Sequence, residues 1–311
     1  MKKILVLLFT FILLLSITAS GCAGQDEVGK GPIEVGSKID TEGSLLSQMI
    51  ILMLRDNGFD VVDKSQFGPT SVVRKALESG ELDIYPEYTG NGAFFFDETD
   101  SDVWNDARKG YERVKELDEE TYNIIWLKSA PANNTWAIAI PKKLSDDEGI
   151  STLDDFAAYV NRGGYVKLIG SEEFVTSPVA LPKFQEVYGF TLNQKQLLTV
   201  SSGDTAQTEK AASEGTDGVN AAMAYGTDGS LSALKLVVLA DPRGAQPVYE
   251  PAPRVRGEIV DQYPEIADII DPVFESLDLV TLQTLNAKRA VEGRNAADVA
   301  REYLDSKGFL K

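Results

Sequence analysis

Short apolar runs alternate with stretches of helical periodicity along most of this chain. Ile33–Gly36 reads as a strand. After Ser37-Lys38-Ile39-Asp40, a loop leading into a helix, Leu45, Leu46, Met49, Ile50, Met53 and Leu54 recur at helical spacing, with Gly58 as the capping residue. Val61–Val62 restarts a strand. Ser71–Ser79 is a second helix, with Val72, Val73, Ala76 and Leu77 inward and Gly80 ending it. A buried strand, Leu82–Tyr85, then runs into a Pro/Gly-punctuated loop and the apolar Phe94–Phe96, which is assigned to the core. An acidic helical connection, Asp97–Leu117, follows. Further strands are predicted over Ile124–Leu127, Thr135–Ile140, Tyr165–Ile169, Leu197–Val200, Val219–Ala224 and Leu236–Ala240. Helices fall over Leu153–Val160 and up to Ser213, and Pro178 and Pro182 break the mixed segment Ser171–Tyr188. Pro247–Pro253 is extended, and the tail from Glu265 is helical with pauses at Pro272 and Gly293. Strands alternating with helices at this spacing predict βαβ units and a mostly parallel sheet.

The first residues follow another pattern. Lys2 and Lys3 precede the apolar run Ile4–Ile17, then Thr18-Ala19-Ser20-Gly21-Cys22, the order of a secretory signal. The run is too short for a comfortable transmembrane helix. Residues 1–21 are therefore read as a signal peptide and Cys22, the single cysteine, as a lipidation site, although Ala19 stands where leucine is commoner. A lone cysteine in an exported protein cannot form an internal disulfide. Residues 22–31 become the lipidated N-terminus and a flexible linker, and the protein is placed outside the membrane, held to it only by lipid. The net charge of -18 argues against nucleic acid or an anionic membrane surface as partner.

The chain contains no histidine, which removes the commonest general base and the commonest metal ligand. With Cys22 lipidated no thiolate remains, and neither a dinucleotide fingerprint nor a phosphate loop is present. No metal or cofactor is expected. Carboxylates could still serve glycoside hydrolysis, but adjacent pairs such as Asp146-Asp147 and Glu172-Glu173 read as solvated surface. Aromatics, by contrast, gather at predicted strand ends and loops: Tyr85, Tyr88, Trp136, Tyr225 and Tyr249. Several rings facing one pocket would bind a quaternary ammonium by cation–π attraction, each contact worth about 0.5–2 kcal/mol. Lys38, before a helix start, is placed to meet a ligand carboxylate.

The blocks GSKIDTEG (Gly36–Gly43), ELDIYPEYTGNGAFFF (Glu81–Phe96), PANNTWAIAI (Pro131–Ile140), GVNAAMAYGTDG (Gly218–Gly229) and LNAKRAVEGRNAADVAREYL (Leu285–Leu304) resemble the substrate-binding proteins of osmoprotectant ABC transporters, in particular the OsmF branch. The resemblance runs from about Ile33 to the C-terminus. It implies an α/β, type II periplasmic-binding-protein fold: two α/β lobes, joined by two hinge crossings, that close over a ligand in the cleft between them. The crossings are expected near Trp136–Ile140 and Leu231–Leu236. Lobe 1 then comprises residues 32–138 and 235–311, and lobe 2 residues 139–234.

By the resemblance, the cage tyrosine of the YTG motif falls on Tyr88, with Tyr85 as its nearby substitute, and the aromatic after Asn-Asn-Thr on Trp136. Tyr225 and Thr227 come from the Tyr-x-Thr-Asp motif, Tyr249 from the proline-rich segment, and Lys38 from the Gly-Ser-Lys motif as a carboxylate contact. Asn91 replaces a hydroxyl found after the YTG tyrosine. Two positions depart: Glu209 stands where many relatives have an aromatic, and Ser177 where relatives carry a carboxylate-clamping arginine. The implied function is an extracytoplasmic lipoprotein, a monomer and not an enzyme, that captures glycine betaine or a related quaternary amine and hands it to ABC permease subunits. Ser177 and Glu209 keep open a different small solute in the same fold, such as choline without carboxylate recognition, an amino acid or a polyol. A carboxylate-based hydrolase is the remaining alternative.

Overall fold

Asp40 marks where the first strand gives way to the first helix. Its carboxylate accepts the Gly43 amide at 2.6 Å, which caps the helix Thr41–Asp56 and satisfies one of its free N–H groups. The computed structural model describes residues 29–99, 101–201 and 205–311. The signal segment 1–21, Cys22 and most of the 22–31 linker lie outside these described residues. Lys30 and Gly31, read as the end of the linker, already belong to strand β1 (Lys30–Lys38). In the helix Thr41–Asp56 every residue from Leu45 to Leu54 except Gln48 is buried. A helix apolar on most sides needs cover on most sides. Here the sheet supplies one wall and the tail helices Glu265–Glu275 and Ala296–Lys307 supply others through Ile266, Ile270, Val299 and Leu304.

Two five-stranded sheets form the two lobes. The first has the order β2-β1-β3-β10-β4, with β2 at Phe59–Gly68, β3 at Ile84–Tyr88, β4 at Ile124–Trp126 and β10 at Pro251–Arg256. The second has the order β7-β6-β8-β5-β9, with β5 at Trp136–Pro141, β6 at Leu168–Ser171, β7 at Leu197–Val200, β8 at Ala221–Tyr225 and β9 at Leu236–Val238. Neither sheet is mostly parallel. β1 pairs in parallel with β2 and β3, and β6 with β7 and β8, but β10 runs antiparallel to β3 and β4, and β5 antiparallel to β8 and β9. β5 and β10 are the strands by which the chain enters each sheet from the other lobe. They bring the carboxyl ends of β1, β3 and β8 and the amino ends of β5 and β10 to one cleft, the edge where open α/β sheets take ligands.

The chain passes from the first sheet to the second within 127–135 and back within 239–250, beside the Trp136–Ile140 and Leu231–Leu236 that the sequence suggests. Trp136–Ile138 and Leu236–Val238 sit in the second sheet, so lobe 2 extends beyond 139–234 at both ends. The two crossings pair with each other: the Asn134 amide donates to the Tyr249 carbonyl at 2.9 Å, and the Tyr249 amide to Asn133 Oδ1 at 2.8 Å.

The aromatic block after β3 also departs from expectation. β3 begins at Ile84 and continues to Tyr88, and Phe94 is 62% exposed rather than core. Phe95 and Phe96 stack on the Arg74 guanidinium, 3.9 and 5.3 Å from their centroids, and Val72 faces outward. Tyr85 is fully buried in a charged core. Its hydroxyl accepts from Arg254 at 2.6 Å, and Arg254 lies 2.8 Å from Asp118, both of them without solvent contact. Trp126 donates to the same Asp118 carboxylate at 2.6 Å. Removing one member of such a pair strands the other charge. Arg254→Met should lower the unfolding free energy by about 3–5 kcal/mol in urea titration; a loss below about 1 kcal/mol would show that Asp118 needs no partner.

Candidate functional site

A cavity of about 490 Å³ opens between the lobes. The second lobe supplies Trp136, the first residue of β5, and Tyr225, the last of β8, which are cross-strand partners. Their rings lie 6.5 Å apart at 23°, and Trp136 Nε1 donates to the Tyr225 hydroxyl at 2.9 Å, so the two stand as one aromatic wall. Phe174 packs edge-on behind Trp136, with centroids 6.2 Å apart. Tyr249 enters from the second crossing and Tyr88 from the end of β3. Tyr249 lies close against Gly90: a β-carbon there would meet the Val248 carbonyl at 2.8 Å and the Tyr249 ring at 2.9 Å. The glycine of Tyr-Thr-Gly is thus a condition for the ring's position. Burial raises the hydroxyl pKa of Tyr88, Tyr225 and Tyr249, the last to about 12, so all three rings are neutral phenols near pH 7.

The first-lobe wall is set by a residue that sequence reading missed. Glu87, on β3, is wholly buried. Its Oε1 accepts Lys38 Nζ at 2.5 Å, the Tyr88 amide at 2.7 Å and Asn91 Nδ2 at 2.7 Å, and its Oε2 accepts the Tyr85 hydroxyl at 3.1 Å. Burial pushes the carboxyl pKa up, but the Lys38 cation and hydrogen bond, with Arg254 and the Tyr88 amide, outweigh it and hold the group below its ordinary value. Lys38 is the last residue of β1, not part of a loop, and its ammonium lies 4.3 Å above the Tyr88 ring. Lys38 and Asn91 line the cavity, but both are already bonded to Glu87.

A second chamber of about 520 Å³ shares Lys38, Thr70, Tyr88, Asn134 and Tyr225 with the first. Thr227 lies here, as does Glu42, another residue the sequence did not single out. Glu42 is buried and accepts the Tyr88 hydroxyl at 2.7 Å, Asn286 Nδ2 at 2.6 Å and Asn134 Nδ2 at 3.3 Å, and the Thr227 side chain also bonds to it. These partners come from β3, the tail helix Leu279–Ala290, the first crossing and the loop after β8.

Of the residues expected at the site, Tyr88, Trp136, Tyr225, Tyr249, Lys38, Asn91 and Ser177 come together in the first chamber and Thr227 in the second. Tyr85 and Glu209 line neither. Tyr85 is committed to Arg254 and Glu87, because β3 turns it away from the cleft. Glu209, fully buried, accepts the Ser230 hydroxyl. Glu172 and Glu173 are both exposed, as the sequence suggests, and Glu173 also borders the first chamber; Asp146 and Asp147 form exposed pairs with Lys142 and Lys143. Asn134 Oδ1 and Thr135 Oγ1, also at the first chamber, have no hydrogen-bond partner among the described residues. No group of acidic residues suited to a metal ion occurs among the described residues.

The two lobes with paired crossings make this a type II periplasmic-binding-protein fold. The family of substrate-binding domains of ABC-type glycine betaine transport systems matches residues 31–306, and the chain belongs to it. It is 53% identical over 280 residues to the glycine betaine-binding protein YehZ of Escherichia coli (strain K12), covering 90% of this chain and 92% of that protein. The solved structure of apo YehZ superposes with a TM-score of 0.86, covering 90% of this chain and 99% of that one. A glycine-betaine-binding protein of Pseudomonas aeruginosa is 33% identical over 292 residues, covering 91% of each chain. Members of this family take up small quaternary-amine solutes, work with ABC permease subunits and are extracytoplasmic, a role in binding rather than catalysis.

Glu42 offers a pH test of the site. Burial lifts its pKa above the ordinary value of 4.5, with hydrogen bonds from Thr227, Tyr88 and Asn286 opposing. The native state therefore favours the protonated acid, a contribution fully present below the ordinary pKa and lost as pH climbs through the raised one. Glu42→Gln cannot ionise, so its stability relative to the wild type should improve as pH rises from about 4 to about 8. A difference that stays flat across that range in denaturant titrations would refute the assignment.

Proposed function

We propose that this protein captures glycine betaine or a closely related quaternary amine in the first chamber and delivers it chemically unchanged to its permease. One observation carries the reading: Tyr88, Trp136, Tyr225 and Tyr249, from four separate stretches, converge on one cavity between two hinged lobes. Neutral aromatic faces attract a methylated ammonium, and several contacts of about 0.5–2 kcal/mol each give useful affinity. Ligand touching both lobes favours the closed arrangement, and closure presents the loaded receptor to the transporter. The Thr135 hydroxyl, which has no partner among the described residues, is free to donate to the ligand's polar end. The naming of the 53% identical E. coli relative as glycine betaine-binding supports the same ligand here.

Titration calorimetry with glycine betaine, choline, carnitine and proline betaine tests the reading. Saturable heat with at least one is expected, and silence from all four with folded protein would overturn it. Trp136→Ala should weaken binding about tenfold or more while thermal unfolding changes little.

We also propose that the protein works as a monomer tethered through lipid on Cys22, which supports a role at the outer face of the membrane. Cys22→Ser should move the protein from the membrane fraction into the soluble extracytoplasmic fraction. Retention in the membrane fraction would remove the anchor, and a dimer mass in light scattering would remove the monomer.

A further inference from the structure

The first chamber is lined by two charged side chains among the described residues, and they are not equivalent. Lys38 is paired at 2.5 Å with the buried Glu87, so the cation and its counter-charge nearly cancel from the ligand's side. Glu173 stands alone. It sits in the first turn of the helix Glu172–Thr176 in the second lobe, exposed, with no ion pair or side-chain hydrogen bond among the described residues. The backbone that carries it is anchored from behind, because the next residue, Phe174, is fully buried and packs edge-on against Trp136. The Ser177 amide closes the same short helix onto the Glu173 carbonyl at 2.8 Å, and the Ser177 side chain, a neutral hydroxyl, also lines the cavity. Glu173 is near enough to Tyr225 to add to the upward push that burial gives its hydroxyl. The second-lobe wall thus offers a negative charge and a hydroxyl on the same cavity as the aromatic pair.

We propose that Glu173 is a specificity-determining residue: its uncompensated carboxylate ranks quaternary amines by net charge, drawing in cations with a neutral tail and holding back zwitterions. This rests on the reading that a quaternary amine binds between the aromatic walls. The ammonium of either ligand is attracted by the carboxylate. A ligand carboxylate a few ångströms further along is repelled, and at an exposed residue water weakens both effects without removing them. A zwitterion therefore recovers little of what a simple cation gains, and Lys38 cannot restore the difference while it is held by Glu87. The inference concerns rank and leaves glycine betaine as a ligand.

Calorimetry of the wild type, Glu173→Gln and Glu173→Ala with choline and with glycine betaine tests this directly. The choline-to-glycine betaine affinity ratio should fall by about threefold to tenfold in both variants, the size of one charge acting over several ångströms. Loss of a merely structural contact would scale both affinities together, so an unchanged ratio overturns the proposal. A ratio that rises overturns it as well. Thermal unfolding curves verify that the exposed substitutions leave the fold intact. Wild-type binding of neither ligand strikes the functional reading, and this inference with it, whereas binding of both with an unmoved ratio strikes Glu173 alone.

Discussion

A carboxylate with no access to solvent, Glu87, sets the first-lobe wall of the cleft. A buried charge must be met from several directions or it neutralises or leaves. Glu87 is met by the end of β1 through Lys38, by its own strand through the Tyr88 amide and Tyr85, and by the turn after β3 through Asn91. Those bonds fix the positions from which Tyr88 and Lys38 face the cavity. Through Tyr85 the same network continues to Arg254 and Asp118, so the cleft wall and the lobe core share one chain of charged contacts. This is why Tyr85, three residues before Tyr88, serves the interior instead of the cleft.

The second lobe builds its wall by a different means. Trp136 and Tyr225 are neighbours in an antiparallel pair, and a hydrogen bond between their polar tips ties the two near-parallel rings together. Their geometry is set by sheet register, so this wall of the cleft is already ordered. The mixed sheets make this possible. Only strands entering from the crossings, β5 and β10, run against their neighbours and so present their starting residues at the cleft.

Much of this was legible in the sequence. Apolar spacing located the helix Thr41–Asp56 and strands such as Leu197–Val200, and the punctuated aromatic blocks pointed to Tyr88, Trp136, Tyr225 and Tyr249. What escaped has a common cause. An apolar run such as Trp136–Ile140 says that a strand is buried, but not in which sheet, so both crossings were placed a few residues inside the second lobe. A charge in a sequence carries no label of its surroundings either: Glu87 and Glu42 look no different from the surface acids around them, and Glu173, exposed as expected, gives no sign that it also borders the chamber. Phe94–Phe96 failed similarly, because a cation such as Arg74 can cover aromatic rings that a core would otherwise have to enclose.

Glu42 collects bonds from Tyr88, Asn134, Thr227 and Asn286, residues that no local stretch of sequence connects. For molecular evolution this makes them a single character. Exchanging one member alone leaves a buried acid short of a donor, or a donor short of its acid, so a single substitution costs stability even where a paired exchange would be neutral. Their effects are not additive. Drift at the cleft must therefore proceed by correlated steps across both lobes and the tail, and new ligand preferences arise more readily at independent wall positions than within this cluster.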